Sequence, residues 1–481
     1  MFKTLADAFK IKEVRNKLLL TLLLLFIYRV GCWIPIPGID SEALGLNVEN
    51  NMFLSLLSAV SGGALSQGSF LALGVSPYIT SSIIIQLLAA VIPSWQRYAK
   101  EGADGRKKLS LYTKIAALII ATAQAIAIAV GFGQAEYADL AIFGGQAWVF
   151  YTFVVLMLVA GAMFTVWLGE KITEIGIGNG MSLLIFVGIL SSAATALMGT
   201  FSNLTVGGET TQTAIWQLVL FVVALIAIFA LVVFVDGGER KVPVQYAKQV
   251  KGRKMYGGQS TYIPIRVNAN GVIPIIFATS ILSFPQMLMS IFAPNSTNAF
   301  ITWWNNWLGA GTWVYSIVLS LLILAFAYFY TMLNFDPDEI ARQIQQNGGF
   351  ITGIRPGKPT AQYLKGINKK ITLFGAIFLA FMALIPTLLF TAIGTGGLNS
   401  AFSATGMLIV VSVALEFDKQ LEAQGITDIN QTVNQTESAI QSAKKELEDG
   451  QNAINTAKQE LETKEQELTN TKKDTYAKLN S

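Results

Sequence analysis

Long apolar stretches, separated by short polar segments, run along most of this chain of 481 residues. A helix needs about 20 apolar residues to cross the hydrocarbon core of a bilayer. Backbone groups in lipid must be hydrogen-bonded within their own segment, so each apolar stretch of that length is predicted to be a helix. The predicted spans are 18–37, 71–92, 113–132, 148–168, 177–198, 215–235, 271–292, 314–334, 371–393 and 402–417.

The lysine and arginine residues lie in tight clusters between pairs of these spans. Basic residues in short loops face the cytoplasm, so their distribution indicates which loops lie inside. Each stretch without a basic residue is long enough to cross the membrane twice, which predicts five out-and-back hairpins with both termini in the cytoplasm. The stretches without a basic residue are 30–96, 115–170, 172–239, 267–341 and 371–418.

The ten spans divide into two sets of five, and an odd number per set means that the second set enters the membrane from the opposite side. This is the inverted-repeat arrangement of many transport proteins. A short internal match supports it, since Gly74–Pro77 opens the second span and Gly271–Pro274 opens the seventh, both reading Gly-Val-x-Pro. The predicted fold is an all-α membrane protein of ten transmembrane helices in two inverted five-helix halves, residues 1–198 and 199–424.

A short apolar segment, Met52–Val60, lies between the first two spans and is followed by Gly62 and Gly63. It is too short to cross a bilayer, so it is interpreted as a re-entrant segment, an interfacial helix or a buried stub. From the residues alone, an interfacial helix on the outer face is the simpler interpretation.

The segment 425–481 is polar, and apolar side chains recur in it at every seventh position, which predicts a long helix. The companion positions three residues further on include Ala443, Gly450, Ala457 and Lys464, which are poor for a tight coiled-coil seam. The interpretations that stay open for this tail are a weak coiled coil with a partner, a solvated helix without one, and partial disorder. The heptad residues are Val433, Ile440, Leu447, Ile454, Leu461 and Leu468.

The composition agrees with a membrane protein, since 53% of the residues are hydrophobic, 13% are charged and the mean hydropathy is +0.51. The chain has one cysteine, Cys32, and no histidine, so it lacks the commonest metal ligands and the commonest general base. The segment Gly353–Pro359 contains glycine and lysine, but its spacing is too short for a nucleotide-binding P-loop and a proline replaces the Ser or Thr. No cofactor and no enzymatic activity are expected, and ATP must be used by another protein.

A secondary transporter of small solutes is the alternative function. Coupled transporters need ionisable groups at membrane depth to bind the driving ion or proton. Arg29 is the charged residue that lies well inside a predicted span, and its side chain is expected to snorkel or to bond neighbouring carbonyl groups. The missing carboxylates argue against proton coupling but agree with a channel. A membrane scaffold without a conduit is a third interpretation.

Two loops on the predicted cytoplasmic side, 236–270 and 335–370, are unusually long for a helix bundle. Their basic residues would hold them inside, but topology alone does not explain their length. Loops this long usually have a function, and a positive surface suits an acidic or RNA-bearing partner. The basic residues are Arg240, Lys241, Lys248, Lys251, Arg253, Lys254 and Arg266 in the first loop, and Arg342, Arg355, Lys358, Lys365, Lys369 and Lys370 in the second.

Several segments resemble the signature sequences of the SecY family, which comprises the central subunit of the bacterial Sec protein translocase and its eukaryotic α-subunit counterparts. The resemblance covers residues 1 to about 424 in order. The tail departs from it, because family members normally end soon after the tenth span with a short basic segment. The matching segments are Leu73–Leu88 (LGVSPYITSSIIIQLL), Trp167–Gly180 (WLGEKITEIGIGNG), Tyr246–Lys248, Gln259–Thr261 and Gly353–Gly357.

The resemblance implies a passive protein-conducting channel with an hourglass pore between the two halves. A ring of apolar side chains would narrow the pore, exclude water and ions by dewetting, and part around a polypeptide. The segment 52–67 would be the plug that closes the outer funnel, in place of an interfacial helix. By motif position the ring residues are Val75, Ile79, Met181, Ile185, Ile276 and Ile409, and the plug residues are Phe53, Leu54, Leu57, Val60, Gly62 and Gly63.

The resemblance also implies a lateral gate, formed by the second and seventh spans, through which signal peptides and membrane helices pass into lipid. The two long basic loops would dock the SecA motor or the ribosome, which supplies the energy. Implied partners are SecE and SecG-type small membrane subunits, SecA, the ribosome, signal peptides, translocating polypeptides and the bilayer, and the implied location is the bacterial cytoplasmic membrane. The gate residues would be Ile83, Gln86, Gln124, Thr279 and Ser280, and the docking residues Arg253, Lys254, Arg355 and Lys358.

Overall fold

A computed structural model describes the chain as two compact units, one of residues Lys17–Asp418 and one formed by Met1–Asn16 and Lys419–Ser481. The described residues are 9, 11–41, 44–45, 58, 61–100, 103–132, 142, 145–206, 211–246, 249–251, 254–256, 260–268, 271, 273–292, 299–309, 312–393 and 404–479.

Helices make up most of the described residues, and each of the ten predicted spans overlaps a long helix. Two shorter helices, α3 and α9, lie between the spans, and α11 lies in the second long loop. The helices are α1 (Lys12–Gly31), α2 (Ser76–Val91), α3 (Pro93–Lys100), α4 (Ala103–Phe132), α5 (Ala147–Ile175), α6 (Gly180–Val206), α7 (Thr211–Asp236), α8 (Ile273–Phe292), α9 (Ala299–Leu308), α10 (Trp313–Asn334), α11 (Pro337–Gln346), α12 (Lys358–Ile393) and α13 (Ala404–Leu479).

Within the described part of the chain, five helices are long and apolar enough to cross a membrane, namely α4, α5, α7, α10 and α12. Shorter apolar stretches lie in α2, α6 and α8. Large apolar side chains such as Phe26, Phe234 and Met332 point outward from the helices. An extensive apolar exterior suits lipid rather than water, so the chain is a multi-pass membrane protein.

The helices α2 and α8 begin in the same way, in agreement with the internal sequence match. A glycine with a left-handed backbone precedes each helix, Gly74 with φ of 52° and Gly271 with φ of 58°. The helix then begins two residues later, at Ser76 and at Ile273, and its second residue is proline. Proline fits the first turn of a helix because its missing N–H would have no intrahelical acceptor there. The short sequence match therefore corresponds to a shared local structure.

Polar side chains cap two helices of the second half. The Thr312 hydroxyl accepts a hydrogen bond from the N–H of Tyr315 at 3.2 Å, at the start of α10. The Asp336 carboxylate accepts from the N–H groups of Asp338 at 3.0 Å and Glu339 at 3.2 Å, at the start of α11. Such caps satisfy N–H groups that a helix cannot satisfy itself, and they fix where α10 and the loop helix begin.

The two long loops contain strands, which the sequence analysis interpreted only as loops. The edge strands β4 and β5 both pair antiparallel with β1, and β2 pairs with β3 in a separate hairpin. Because β5 comes from the second loop, the larger sheet joins the two loops. Pro243 and Pro264 obscured the strand signal, since proline is unfavourable inside strands. The strands are β1 (Glu239–Tyr246), β2 (Gln249–Lys251), β3 (Lys254–Tyr256), β4 (Ser260–Arg266) and β5 (Gly349–Ile351).

The larger sheet packs against α11 and α12 around an apolar core of its own. Val242 and Val244 of β1 and Ile265 of β4 are buried in this core. Ile344 of α11 and Leu364 of α12 cover them. The two basic loops therefore form one folded element, called the loop domain below.

Two apolar clusters occupy most of the two predicted halves. One is built from residues between Ile36 and Ala162, around α4 and α5. The other is built from residues between Ala193 and Val411, chiefly from α7, α8, α10 and α12. The predicted boundary at 198/199 falls inside α6 and the one at 424/425 falls inside α13, so the division into halves stays a prediction.

The prediction of a long helix in the tail is confirmed, since α13 is helical as far as Leu479. The side chain of Val433 lies outside the described residues. The other heptad side chains are between 62% and 71% exposed, namely Ile440, Leu447, Ile454, Leu461 and Leu468. An exposed apolar stripe agrees with both helical interpretations of the tail, so a pairing role stays a prediction.

Candidate functional site

The six residues predicted to form the pore ring lie in one apolar cluster, the central cluster, which also contains buried residues such as Leu71, Leu184 and Val413. Three ring residues are buried and three are partly buried against them. They come from both predicted halves of the chain, and none of their side chains carries a charge or a hydrogen-bond donor. They are Val75 just before α2, Ile79 in α2, Met181 and Ile185 in α6, Ile276 in α8 and Ile409 in α13.

Most described residues of the predicted plug segment are buried, whereas Gly63 and Ser66 are half-buried and Gln67 is exposed. Ala64 is fully buried and belongs to that cluster. The carbonyl of Ser58 accepts hydrogen bonds from the N–H of Gly63 at 2.8 Å and from the hydroxyl of Ser61 at 3.1 Å, which closes a tight turn. Burial of this kind agrees with a plug, and the assignment stays a prediction. Gly62 and Gly63 are described, whereas Phe53, Leu54, Leu57 and Val60 lie outside the described residues.

Arg29 of α1 contacts this segment directly. Its Nη1 donates a hydrogen bond to the carbonyl of Gly62, and its guanidinium carbon lies 5.5 Å from the ring centroid of Trp33. Gly62 has φ of +71°, and a Cβ atom at this position would lie 2.9 Å from Cα of Gly188 in α6. Only glycine accepts both the backbone angle and the close approach. The hydrogen bond from Arg29 to Gly62 confirms the prediction that Arg29 bonds a neighbouring carbonyl.

The predicted gate residues lie on three helices, and α4 packs against both α2 and α8. The hydroxyl of Thr279 donates to the carbonyls of Ile275 and Ile276 at 3.0 Å, within its own helix. It is therefore used locally and does not bridge to α2. The gate residues are Ile83, buried in α2, Gln86, exposed on α2, Gln124, buried in α4, and Thr279 and Ser280, half-buried in α8.

The side chains of two of the four predicted docking residues are described, and both are exposed on the loop domain. Arg355 lies in the turn between β5 and α12, and Lys358 is the first residue of α12. The Thr360 hydroxyl donates to the carbonyl of Arg355 at 2.9 Å, which holds the turn. Arg355 borders an open concavity of about 530 Å³. Arg253 and the side chain of Lys254 lie outside the described residues.

A further basic group is fixed on the face of the larger sheet. The Nζ atom of Lys241 lies 3.3 Å from Oε1 of Glu239 and 4.7 Å from the ring centroid of Tyr262. The hydrogen bond to the Glu239 carboxylate raises the pKa of the Lys241 ammonium group. Lys241 therefore keeps its positive charge at neutral pH, on the part of the sheet formed by β1 and β4.

Sequence reasoning missed one long-range contact at the site. The phenol of Tyr330 in α10 donates a hydrogen bond to Oε1 of Gln86. The sequence analysis assigned Gln86 to the gate but gave no role to the eighth span. The phenol of Tyr330 inside an otherwise apolar span was the sequence feature that could have pointed to this contact, as the charge of Arg29 pointed to its bond with a carbonyl.

The sequence matches one family and many of its curated members. A sequence model of the SecY family matches residues 69–417. The protein translocase subunit SecY of Mycobacterium tuberculosis (strain H37Rv) is 40% identical over 440 residues, covering 88% of this chain and 98% of the relative. The protein of the same name from Thermotoga maritima is 40% identical over 429 residues, covering 88% of this chain and 95% of the relative.

Solved structures share the fold at low sequence identity. One, described as the structure of a protein conducting channel, has a TM-score of 0.58 and 19% identity, covering 84% of this chain and 91% of that chain. Another, concerned with the plug domain of the SecY protein and the closed state of the translocation channel, has a TM-score of 0.59 and 20% identity over the same shares. A third is Sec61 in the canine ribosome-channel complex, with a TM-score of 0.54, 18% identity and again the same shares.

Proposed function

The chain belongs to the SecY family and is a channel subunit of the protein translocase, and from this premise we propose how it works. It conducts unfolded preproteins across the bacterial cytoplasmic membrane and releases membrane segments sideways into lipid. All ten spans cross the membrane in two inverted halves, with both termini in the cytoplasm. The support for this orientation is the placement of basic residues in alternate loops.

The observation that carries the proposal is the meeting of six apolar residues from four regions of the chain in the central cluster. Their convergence suits a constriction in the middle of a pore. A narrow apolar passage excludes water and ions by dewetting, and aliphatic side chains can part around a polypeptide. Met181 suits this role because its thioether side chain is unbranched and flexible.

The segment 52–67 is proposed to be the plug that covers this constriction from the outer side. The support is the burial of Ala64 against the ring and the bond between Arg29 and the Gly62 carbonyl. A plug held by few bonds can leave when a polypeptide enters. The closed channel would then keep its ion barrier by two means, the apolar ring and the plug.

The contact between α2 and α8 is proposed to be the lateral gate, bordered by Ile83, Gln86, Gln124, Thr279 and Ser280. The matching start of the two helices supports their equivalence in the two halves. Both helices also supply ring residues, Ile79 and Ile276. A movement that separates α2 from α8 therefore opens the gate and widens the ring together.

The loop domain is proposed to dock SecA or the ribosome through Arg253, Lys254, Arg355 and Lys358. The support is the exposure of Arg355 and Lys358 on a folded element that joins both basic loops. A rigid basic surface can transmit the push of a motor better than two separate flexible loops. SecE and SecG-type subunits are the proposed membrane partners. The tail 425–481 is proposed to be a separate polar helical segment.

The alternative of a secondary transporter is not supported, because the matched family and curated relatives are protein translocase subunits. The scaffold interpretation lacks support for the same reason, since the solved structures of this fold include protein-conducting channels.

Reconstitution tests the proposal. Vesicles that contain this chain with SecE and SecG-type subunits, supplied with SecA and ATP, should make a secretory precursor resistant to added protease. Vesicles without the chain and vesicles without ATP are the controls. Solute uptake without movement of the precursor would instead favour a transporter, and neither activity would favour a scaffold.

A further inference from the structure

A hydrogen bond joins α10 to α2 beside the proposed gate. The phenol of Tyr330 donates to Oε1 of Gln86. The amide nitrogen of the same Gln86 donates to the hydroxyl of Ser82, one turn earlier on α2, at 3.1 Å. With its nitrogen bonded to Ser82, the Gln86 amide turns its oxygen toward the Tyr330 phenol, so the two side chains are a matched donor and acceptor.

The ring of Tyr330 contacts the other side of the gate. It is buried in one small apolar cluster with Ile83 of α2 and Phe277 of α8. Its centroid lies 4.9 Å from that of Phe277 with an interplanar angle of 72°, an edge-to-face arrangement that aromatic rings favour. Phe277 in turn packs edge-to-face on Phe326, one turn earlier on α10, at 5.7 Å. One side chain of α10 thus reaches both α2 and α8.

The contact of α10 with α8 is more extensive than its contact with α2. Helix α10 packs against α8 along much of its length, and the rings of Phe277, Phe326 and Tyr330 strengthen that contact. The link from α10 to α2 depends more on the Gln86 bond. If α2 moves away from α8, α10 stays with α8 and the Tyr330–Gln86 bond breaks.

We propose that Tyr330 is the clasp of the lateral gate, a positioning residue that holds α2 against α8 and α10 until a signal peptide displaces it. This inference rests on the proposed function, in which α2 and α8 border the gate. The clasp sets how strong a signal must be to open the channel. A hydrophobic signal peptide that enters between α2 and α8 gains enough from burial to break one bond, and a defective signal does not.

The proposal predicts a change in selectivity rather than a general loss. Tyr330→Phe keeps the ring and its packing on Phe277 but removes the donor. The net contribution of a neutral hydrogen bond corresponds to roughly a 2- to 10-fold change in the closed-to-open ratio. Export of a precursor with a defective signal should therefore rise by about that factor. Export of the same precursor with an intact signal should change little, because that signal already opens the gate.

Two further variants keep the test decisive. Gln86→Leu removes the acceptor from the opposite helix and should give a similar gain. The double variant Tyr330→Phe with Gln86→Leu should gain no more than either single variant, because both act through one bond. Tyr328→Phe removes a phenol two residues away on the same helix and is the matched control, which should leave the selectivity unchanged.

The experiment uses the reconstituted channel with SecA and the two precursors, and the ratio of defective-signal to intact-signal export is measured. A parent channel that exports neither precursor contradicts the proposed function, and the clasp with it. A parent that exports the intact-signal precursor, together with a Tyr330→Phe ratio equal to that of Tyr328→Phe, overturns the clasp alone. Additive gains in the double variant also overturn it, since the two residues would then act separately.

Discussion

Replacing Arg29 with Gln should raise the ion leak of the resting channel. In the structure the guanidinium of Arg29 donates to the Gly62 carbonyl and lies over the ring of Trp33. Gly62 itself packs against the backbone of α6 at Gly188. The bond therefore ties α1 to the proposed plug at the point where the plug meets α6. Gln is shorter and uncharged, so the variant loses this contact while leaving the rest of α1 intact.

The size of the effect follows from the kind of bond that is lost. A hydrogen bond that involves a charged group contributes about 1.5–3 kcal/mol. Since about 1.4 kcal/mol corresponds to a tenfold change in an equilibrium constant, the closed-to-open ratio of the plug should fall roughly 10- to 150-fold. While the open fraction stays small, the leak rises in proportion to it. Arg29→Lys keeps the charge but not the planar fork, so its leak should lie between those of the parent and of Arg29→Gln.

Ion efflux from vesicles that contain the purified channel, without motor or precursor, measures this leak. Arg15→Gln removes an exposed arginine from the same helix and is the matched control, for which no increase is expected. The amount of inserted protein must be equal in all vesicles. A leak in Arg29→Gln equal to that of the parent and of Arg15→Gln would refute the reasoning, because the bond would then contribute nothing to closure.

Three further outcomes are expected. Glycine at Ile79, Ile185 and Ile276 together should raise the resting leak, because loss of the side chains widens the proposed ring. Leucine at the same positions should not raise it, because leucine keeps the ring apolar and of similar width. Equal leaks in the two variants would contradict the ring. Arg355→Glu should slow SecA-driven translocation of the precursor without lowering the amount of inserted channel, and unchanged translocation would argue against docking at this turn. Val244→Asp places a carboxylate in the fully buried core of the loop domain, which costs several kcal/mol unless the group is neutralised; trypsin should then cleave the two long loops faster, and an unchanged cleavage pattern would argue against a folded loop domain.

Sequence predicts the helices of this chain well because a single physical requirement decides them. A backbone in lipid must satisfy its own hydrogen bonds, so an apolar run such as 215–235 becomes a helix whatever it packs against. The sequence match between Gly74–Pro77 and Gly271–Pro274 also predicts the shared start of α2 and α8, since glycine and proline restrict or free the backbone angles of their own residue. Such local effects need no knowledge of distant residues.

The loop domain could not be predicted in the same way. Its central strand β1 pairs with β5, whose residue Ile351 lies opposite Val244, more than a hundred positions earlier in the chain. The three-residue strand β5 carries too little pattern to be recognised alone, and Pro243 and Pro264 weaken the signal of β1 and β4. The sheet exists because the pairing buries apolar side chains from both loops at once, and only the folded chain brings these residues together.

The contacts of Arg29 and Tyr330 show what sequence leaves open in the pore itself. Each residue is recognisable as a polar group in an apolar span, but its partner lies 33 and 244 positions away along the chain. Family motifs supplied the ring residues, and the structure gathers all six in one cluster. Motifs did not supply the bonds that hold neighbouring elements against that cluster.

These bonds matter because apolar packing alone does not fix one closed arrangement. The hydrophobic effect depends on the area removed from water and has little directional preference, so the residues of the proposed ring do not by themselves select one arrangement of the helices. A hydrogen bond has a required distance and angle, and each of the bonds from Arg29 and Tyr330 therefore defines one position of the proposed plug or of α2. Each is worth at most about 3 kcal/mol, which is about the gain from burying one or two leucine-sized side chains. A signal peptide carries an apolar run of roughly 7–15 residues, so its entry can release both bonds, whereas a soluble segment without such a run cannot.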